Sequence, residues 1–239
     1  MVVDSTALPE QVVDDAIASA FGSAGQRCSA LRLLCVQEES AERILEMLEG
    51  AMDALVIGDP AALDTDVGPV ITAAAAQKLQ AHVEHMATRH RLRKRCTLPA
   101  TLRETERYVA PTLIELTSVA ELREEAFGPI LHVVRYRAQE LPQLLADIRA
   151  NGFGLTLGVQ TRLEYTRQLT FADSLAGNVY VNRNMIGAVV GVQPFGGTGL
   201  SGTGPKAGGP HYLMRLTTER VLTTNTTATG GNTALLSLD

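Results

Sequence analysis

Apolar positions along the chain switch repeatedly between two periods. Val12, Val13, Ala16, Ile17 and Ala20 recur at helical spacing up to Gly22, with Pro9 suited to the first turn, where its missing N–H is no loss. Residues 31–36 (LRLLCV) read as a buried strand. Ser40 is placed to cap a helix running to about Met52. Residues 58–69 are turn-rich, and Thr72 then caps a long Ala-rich helix. Thr112–Leu116 and Ile130–Tyr136 read as strands, followed by a helix over Leu141–Ala150. A strand over 155–160, a helix over 163–174 and a strand over 178–182 complete the alternation. Strands separated by helices of this length predict an α/β fold: a three-layer, mostly parallel sheet with helices on both faces. Beyond it lie a Gly-rich stretch, 187–209, and a Thr-rich tail. In that tail 216–224 is expected to be an edge strand and 225–232 a loose linker.

Composition narrows the class. The 239 residues are 45% hydrophobic and 20% charged, those of an ordinary globular protein. A net charge of -5 argues against nucleic acid as a default partner. The basic run 89–95 is short and reads as a solvated helix end and strand entry. No apolar stretch approaches the ~20 residues of a membrane span, and the N-terminus lacks the charged and apolar regions of a secretory signal. The three cysteines, Cys28, Cys35 and Cys96, are too few and too scattered for a disulfide framework. They fit a reducing compartment. No Cys-x-x-Cys or His-x-x-x-His pair suggests zinc.

Three places carry candidate chemistry. Cys28 follows a run of small residues, Gly22-Ser23-Ala24-Gly25, that lets the backbone turn tightly and present N–H groups to a thiolate. Arg27 adds positive potential, and Ser29 and Ala30 leave room beside the sulfur. The competing reading is a buried structural cysteine, which suits Cys35 within its apolar strand. In Glu124-Glu125-Ala126-Phe127-Gly128-Pro129, a carboxylate could bind a ribose hydroxyl and the aromatic a planar ring. A solvated helix end is the alternative. Gly197, Gly199 and Gly202 form G-x-G-x-x-G, but Pro194-Phe195 before it and Thr203-Gly204-Pro205 after it cannot supply the strand and helix of a dinucleotide-binding turn. His82 and His85 fall in a helix pattern and His132 in a strand, all read as structural.

Taken together, Phe21-x-x-Ala24-Gly25-Gln26-x-Cys28, Gly58-Asp59-Pro60 with Gly68-Pro69, Glu125-x-Phe127-Gly128-Pro129 and Pro194-Phe195-Gly196-Gly197 occur in the order seen in the aldehyde dehydrogenase superfamily. Gly25 to Ala30, 182–191 and 201–210 resemble more narrowly the L-glutamate γ-semialdehyde dehydrogenase (1-pyrroline-5-carboxylate dehydrogenase) part of bacterial bifunctional proline utilization A. The resemblance implies the catalytic, cysteine-bearing domain over 1–215, with 216–239 as edge strand and linker. It implies NAD as cofactor and Cys28 as the nucleophile, forming a thiohemiacetal and then a thioester. Glu125 matches the residue that binds the nicotinamide ribose, and Phe127 packs near that ring. Ser29, with the backbone of Gly187 and Ala188, matches the anchor for the substrate carboxylate, and Phe195 an aromatic wall.

Val2-Val3-Asp4-Ser5 resembles the sequence that follows the family's general-base glutamate. That base, the oxyanion-hole asparagine and the NAD-binding domain are therefore expected outside this chain, and the chain alone is expected to be inactive. FAD is expected only with a proline dehydrogenase part. The resemblance also implies a homo-oligomeric, bacterial cytoplasmic enzyme, peripheral at the inner membrane in its full-length form. The alternatives are a non-catalytic assembly module of the same fold and a stand-alone thiol hydrolase, the second disfavoured by the missing base.

Overall fold

A computed structural model describes residues 1–202 and 204–225. Nine strands and six α-helices alternate along them. They are β1 (Val2–Val3), α1 (Pro9–Phe21), β2 (Leu33–Gln37), α2 (Glu38–Asp53), α3 (Ala73–Ala87), β3 (Arg91–Arg95), the single turn α4 (Ala100–Arg103), β4 (Thr112–Leu116), β5 (Ile130–Tyr136), α5 (Leu141–Ala150), β6 (Phe153–Gly154), β7 (Thr156–Gln160), α6 (Glu164–Asp173), β8 (Asn178–Val181) and β9 (Thr198–Gly199). Seven strands form one sheet in the order β3-β4-β5-β2-β1-β7-β8. Every pair in it is parallel except β3 with β4.

Register and side-chain alternation assign the helices to faces. Arg135, Val36, Val3 and Gln160 are register partners on one face. Arg135 bonds α2 through Glu42, and Gln160 bonds α1 through Asp15. His132 and Leu33 share the other face; there His132 meets His82 of α3, and Leu33 shares a cavity wall with Ile148 of α5. Three layers result, as the alternation of periods predicts. The central strands are apolar on both faces, as buried parallel strands must be: Leu34, Val36, Leu113, Ile114, Ile130, Leu131 and Val133 are fully buried.

Several expectations are corrected. Ser40 is not the cap of α2, because β2 runs into the helix at Gln37. Glu38 and Glu39 occupy the first turn, where their charge suits the positive helix end, and the Ser40 hydroxyl donates to the Gln37 carbonyl. Thr72 does cap α3, accepting from Ala75 N at 3.1 Å. The basic run is not wholly solvated: Arg93 lies under α2, its side chain 2% exposed, bonded to Glu42, Glu49 and Glu115. The expected edge strand over 216–224 is not formed; Leu213–Leu216 is a 3-10 turn and the described residues after it find no strand to pair with. The expected linker over 225–232 lies, after Asn225, outside the described residues. The G-x-G-x-x-G stretch opens no helix: its Gly199 lies in β9, which pairs antiparallel with β6.

Candidate active site

The loop that carries Cys28 is built on strained backbone. Ser23, Ala24 and Gly25 are all left-handed, with φ of 56°, 52° and 65°. For the two non-glycine residues this costs about 1–2 kcal/mol each. The strain folds the chain back on itself, so that Gln26 N donates to the Ser23 carbonyl at 3.0 Å. The Gln26 amide then clamps the segment at Gly68-Pro69: Nε2 donates to the Pro69 carbonyl at 3.2 Å, and Oε1 accepts from Ile71 N at 2.8 Å. A second turn closes with Ala30 N on the Arg27 carbonyl at 3.0 Å and carries Cys28 at its exposed tip. The other two thiols are withdrawn. Burial pushes Cys35 up to about 11, and it raises Cys96, which donates to the Met52 carbonyl.

The loop bearing Glu125, Phe127 and Gly128 enters β5, the parallel neighbour of β2, so it meets the Cys28 loop at the N-terminal edge of the sheet. Here the two loops touch through glycine: a Cβ on Gly25 would lie 2.2 Å from the Gly128 carbonyl oxygen. Arg32 spans both. Its Nε donates to Glu125 Oε1 at 3.2 Å, Nη1 to the Gly128 carbonyl at 3.1 Å and Nη2 to the Arg27 carbonyl at 3.3 Å. The guanidinium also lies 4.8 Å from the Phe127 ring centroid. Burial lowers the Arg32 pKa, opposed by the charges of Glu125 and Cys28. The Arg32 carbonyl is anchored in turn by His132, whose backbone N donates at 3.0 Å and Nδ1 at 3.2 Å. A carbonyl only accepts, so the His132 proton is on Nδ1, and its Nε2 accepts from His82 Nε2 at 2.9 Å. The histidines are thus structural, as read.

A third segment is delivered along α1. Gln11 Nε2 donates to the Asn182 carbonyl, the Asp15 carboxylate accepts from the Asn184 backbone, and Ser19 Oγ accepts from Met185 N. These three polar side chains stand at helical spacing and lead the chain from the end of β8 back to the nucleophile loop. Burial raises the Asp15 pKa, against the bonds from Gln160 and Asn184.

A cavity of about 180 Å³ at this edge is lined by Cys28, Arg32, Glu125, Phe153, Met185 and Ser201, among others. It brings Cys28 and Glu125 together. Ser29, buried, Phe127 and Gly187, both exposed, and the partly exposed Ala188 and Phe195 are not among its lining residues. Ile186, the residue before Gly187, packs near Gly22 at the start of the Cys28 loop. Phe195 is held by paired backbone bonds with Ala207, at 3.0 and 2.9 Å. Asn178 fixes the same loop, donating to the Pro194 carbonyl and accepting from Gly196 N, and Lys206 caps the Gly177 carbonyl and Asn178 Oδ1. Arg32, Gln26, Asp15 and Asn178 escaped the sequence reading. The spacing of Gln11, Asp15 and Ser19 on α1 is the one sequence signal that could have pointed to Asp15. Among the described residues no group of three His, Cys, Asp or Glu could hold a metal.

The chain is similar to known proteins over most of its length. The aldehyde dehydrogenase family model matches residues 1–222. The chain is 54% identical over 224 residues to the bifunctional protein PutA of Escherichia coli K12, covering 92% of this chain and 17% of that protein. It is 34% identical over 219 residues to a 1-pyrroline-5-carboxylate dehydrogenase of Bacillus cereus, covering 89% of this chain and 41% of that one. A crystal structure of bifunctional proline utilization A superposes with a TM-score of 0.90 at 56% identity, over 96% of this chain and 23% of the other. A 1-pyrroline-5-carboxylate dehydrogenase from Thermus with bound NAD superposes with a TM-score of 0.81 at 32% identity, over 89% and 40%. The chain therefore spans less than half the length of each relative.

Proposed function

The chain belongs to the aldehyde dehydrogenase family, and from that premise we propose that it carries the thiol and part of the cofactor and substrate sites of an NAD-dependent L-glutamate γ-semialdehyde dehydrogenase of proline catabolism. The single observation behind this reading is the shared cavity of Cys28 and Glu125, on loops locked together by glycine contact and by Arg32. Residues 1–215 act as one catalytic unit in a longer cytoplasmic, homo-oligomeric polypeptide with NAD-binding and proline dehydrogenase parts.

The fit to NAD rests on two groups. The Glu125 side chain is 38% exposed at the cavity wall, with one oxygen engaged by Arg32, which leaves acceptor capacity for ribose hydroxyls. The Phe127 ring has the Arg32 guanidinium against it and is otherwise largely open to a planar partner. When bound, NAD supplies the acceptor for the hydride.

The chain's own residues supply the nucleophile, one oxyanion donor and the substrate anchor. The Cys28 sulfur adds to the aldehyde carbon, and the Cys28 backbone N–H donates to the developing oxyanion. Loss of hydride from that carbon leaves a thioester on Cys28, and hydrolysis releases L-glutamate and the thiol. Ser29 with the Gly187 and Ala188 backbone N–H groups binds the substrate carboxylate, where small residues offer donors without bulk. Phe195 walls the aliphatic portion. A non-catalytic assembly module would not need an exposed thiol beside a polarised carboxylate. The test is NADH formation from glutamate semialdehyde and NAD by the full-length polypeptide. Wild type is expected to turn over and Cys28→Ala to be inactive; turnover by Cys28→Ala removes the proposal.

A further inference from the structure

We infer that Arg32 is a positioning residue that orients the peptide donating to the oxyanion and couples it to the cofactor-facing carboxylate. The inference rests on the reading of Cys28 and Glu125 given above. The Arg27 carbonyl and the Cys28 N–H belong to one peptide unit. That unit is planar and, like every peptide bond described, trans, so its C=O and N–H point in opposite directions. The bond from Arg32 Nη2 to the Arg27 carbonyl, beside the turn bond from Ala30 N, therefore helps to fix the direction of the Cys28 N–H. It also draws electron density toward the carbonyl oxygen, which makes the N–H a stronger donor.

The same guanidinium reaches 93 residues along the chain to Glu125 and 96 to Gly128. A planar fork of five N–H groups can serve three acceptors at fixed angles; an ammonium cannot. Arg32 itself is held at both ends. Its side chain is 12% exposed, and its carbonyl takes the two bonds from His132. A shift of either loop is thus transmitted to the other through one rigid group. Simple surface ion pairing would need only the contact to Glu125.

The test compares Arg32→Met and Arg32→Lys with wild type in the full-length polypeptide. Amide exchange is read over 22–32 and 122–130 without cofactor, and kcat and KM are read with it. Arg32→Met is expected to speed exchange in both segments and to lower kcat by about 10- to 100-fold, somewhat less than deleting an oxyanion donor outright. KM for NAD should rise several-fold, while KM for the aldehyde changes less than about twofold. Arg32→Lys keeps the charge without the fork. It should recover most of the NAD effect but not kcat, nor the protection of 22–32. Full recovery of kcat by Arg32→Lys, unchanged exchange in both segments of Arg32→Met, or exchange rising uniformly across the sheet in both variants would overturn the inference. Turnover by Cys28→Ala would instead remove the reading on which it rests, whatever the Arg32 variants do.

Discussion

Gly25 and Gly128 are packed backbone to backbone, so closely that no side chain fits on Gly25: its Cβ would meet the Gly128 carbonyl oxygen at 2.2 Å and the Ala20 carbonyl oxygen at 2.8 Å. The left-handed φ of Gly25 adds a second penalty for any other residue. Gly25→Ala is expected to cost at least about 2 kcal/mol in urea unfolding, through overpacking and strain together. It should also abolish activity of the full-length enzyme. Gly50→Ala is the control. Nothing lies within 4 Å of its Cβ in the last turn of α2, so it should gain up to about 0.5–1 kcal/mol. A Gly25→Ala protein as stable as wild type would mean the two loops are not pressed together.

Gln26 joins the nucleophile loop to 69–71 with two bonds that replace a strand partner. Gln26→Ala leaves the Pro69 carbonyl and Ile71 N–H unmet. Water reaches the exposed Ile71 N–H, so a loss of about 1 kcal/mol follows, together with faster amide exchange at Ile71. Unchanged exchange there would show that the clamp is dispensable.

Acid should destabilise the fold in two windows. Burial, reinforced by His82, holds His132 neutral down to about 3, whereas an unfolded histidine takes its proton near 6.5. The unfolded state binds more protons between those values, so stability falls as pH drops through that range. Burial lowers His82 as well, with the same sign. Glu42 acts lower down. Hydrogen bonds from Arg93 and then Arg135 hold it down to about 2, so its contribution is complete above 4.5 and is lost as pH falls toward 2. His132→Gln should flatten the slope of unfolding free energy from pH 6.5 down to about 3, leaving in place only the share of Glu42 below 4.5. An unchanged upper slope would count against a neutral buried pair.

Arg93→Met removes the cation that meets Glu42, Glu49 and Glu115 together, leaving Glu49 without it and Glu42 and Glu115 to Arg135. Breaking a buried pair costs several kcal/mol, but the Glu42 side chain is 50% exposed, which screens its share. A loss on the order of 2 kcal/mol in chemical unfolding is expected, and less than about 1 kcal/mol for Glu42→Gln. Equal losses for the two would contradict the assignment of Arg93 as the hub.

The sheet was legible because its long strands and helices announce themselves by period. Thr112–Leu116, Ile130–Tyr136 and Leu141–Ala150 carry five, seven and ten patterned residues and match the expected bounds. β1 was not legible. Two valines are too few to show alternation, and their central place depends on partners more than thirty residues away. Cys28 and Glu125 were found through motifs whose spacing survives in one dimension. Arg32 was not, because an arginine beside an apolar strand reads as surface. Its value comes from acceptors on two distant loops. Nor does strand order alone reveal the location. Open α/β sheets usually bind ligands at the carboxyl ends of their strands, whereas these loops meet at the opposite edge, where α1 and 122–129 feed into β2 and β5.

The central claim is that Cys28 is the reacting thiol. Iodoacetamide labelling of the full-length polypeptide, read by peptide mass spectrometry against residual NADH formation, tests it most directly. Cys28 should label first, glutamate semialdehyde should protect it, and activity should fall in proportion to its labelled fraction. Cys35 should label only on unfolding, and the partly exposed Cys96 more slowly than Cys28. Activity that persists with Cys28 fully alkylated would contradict the account.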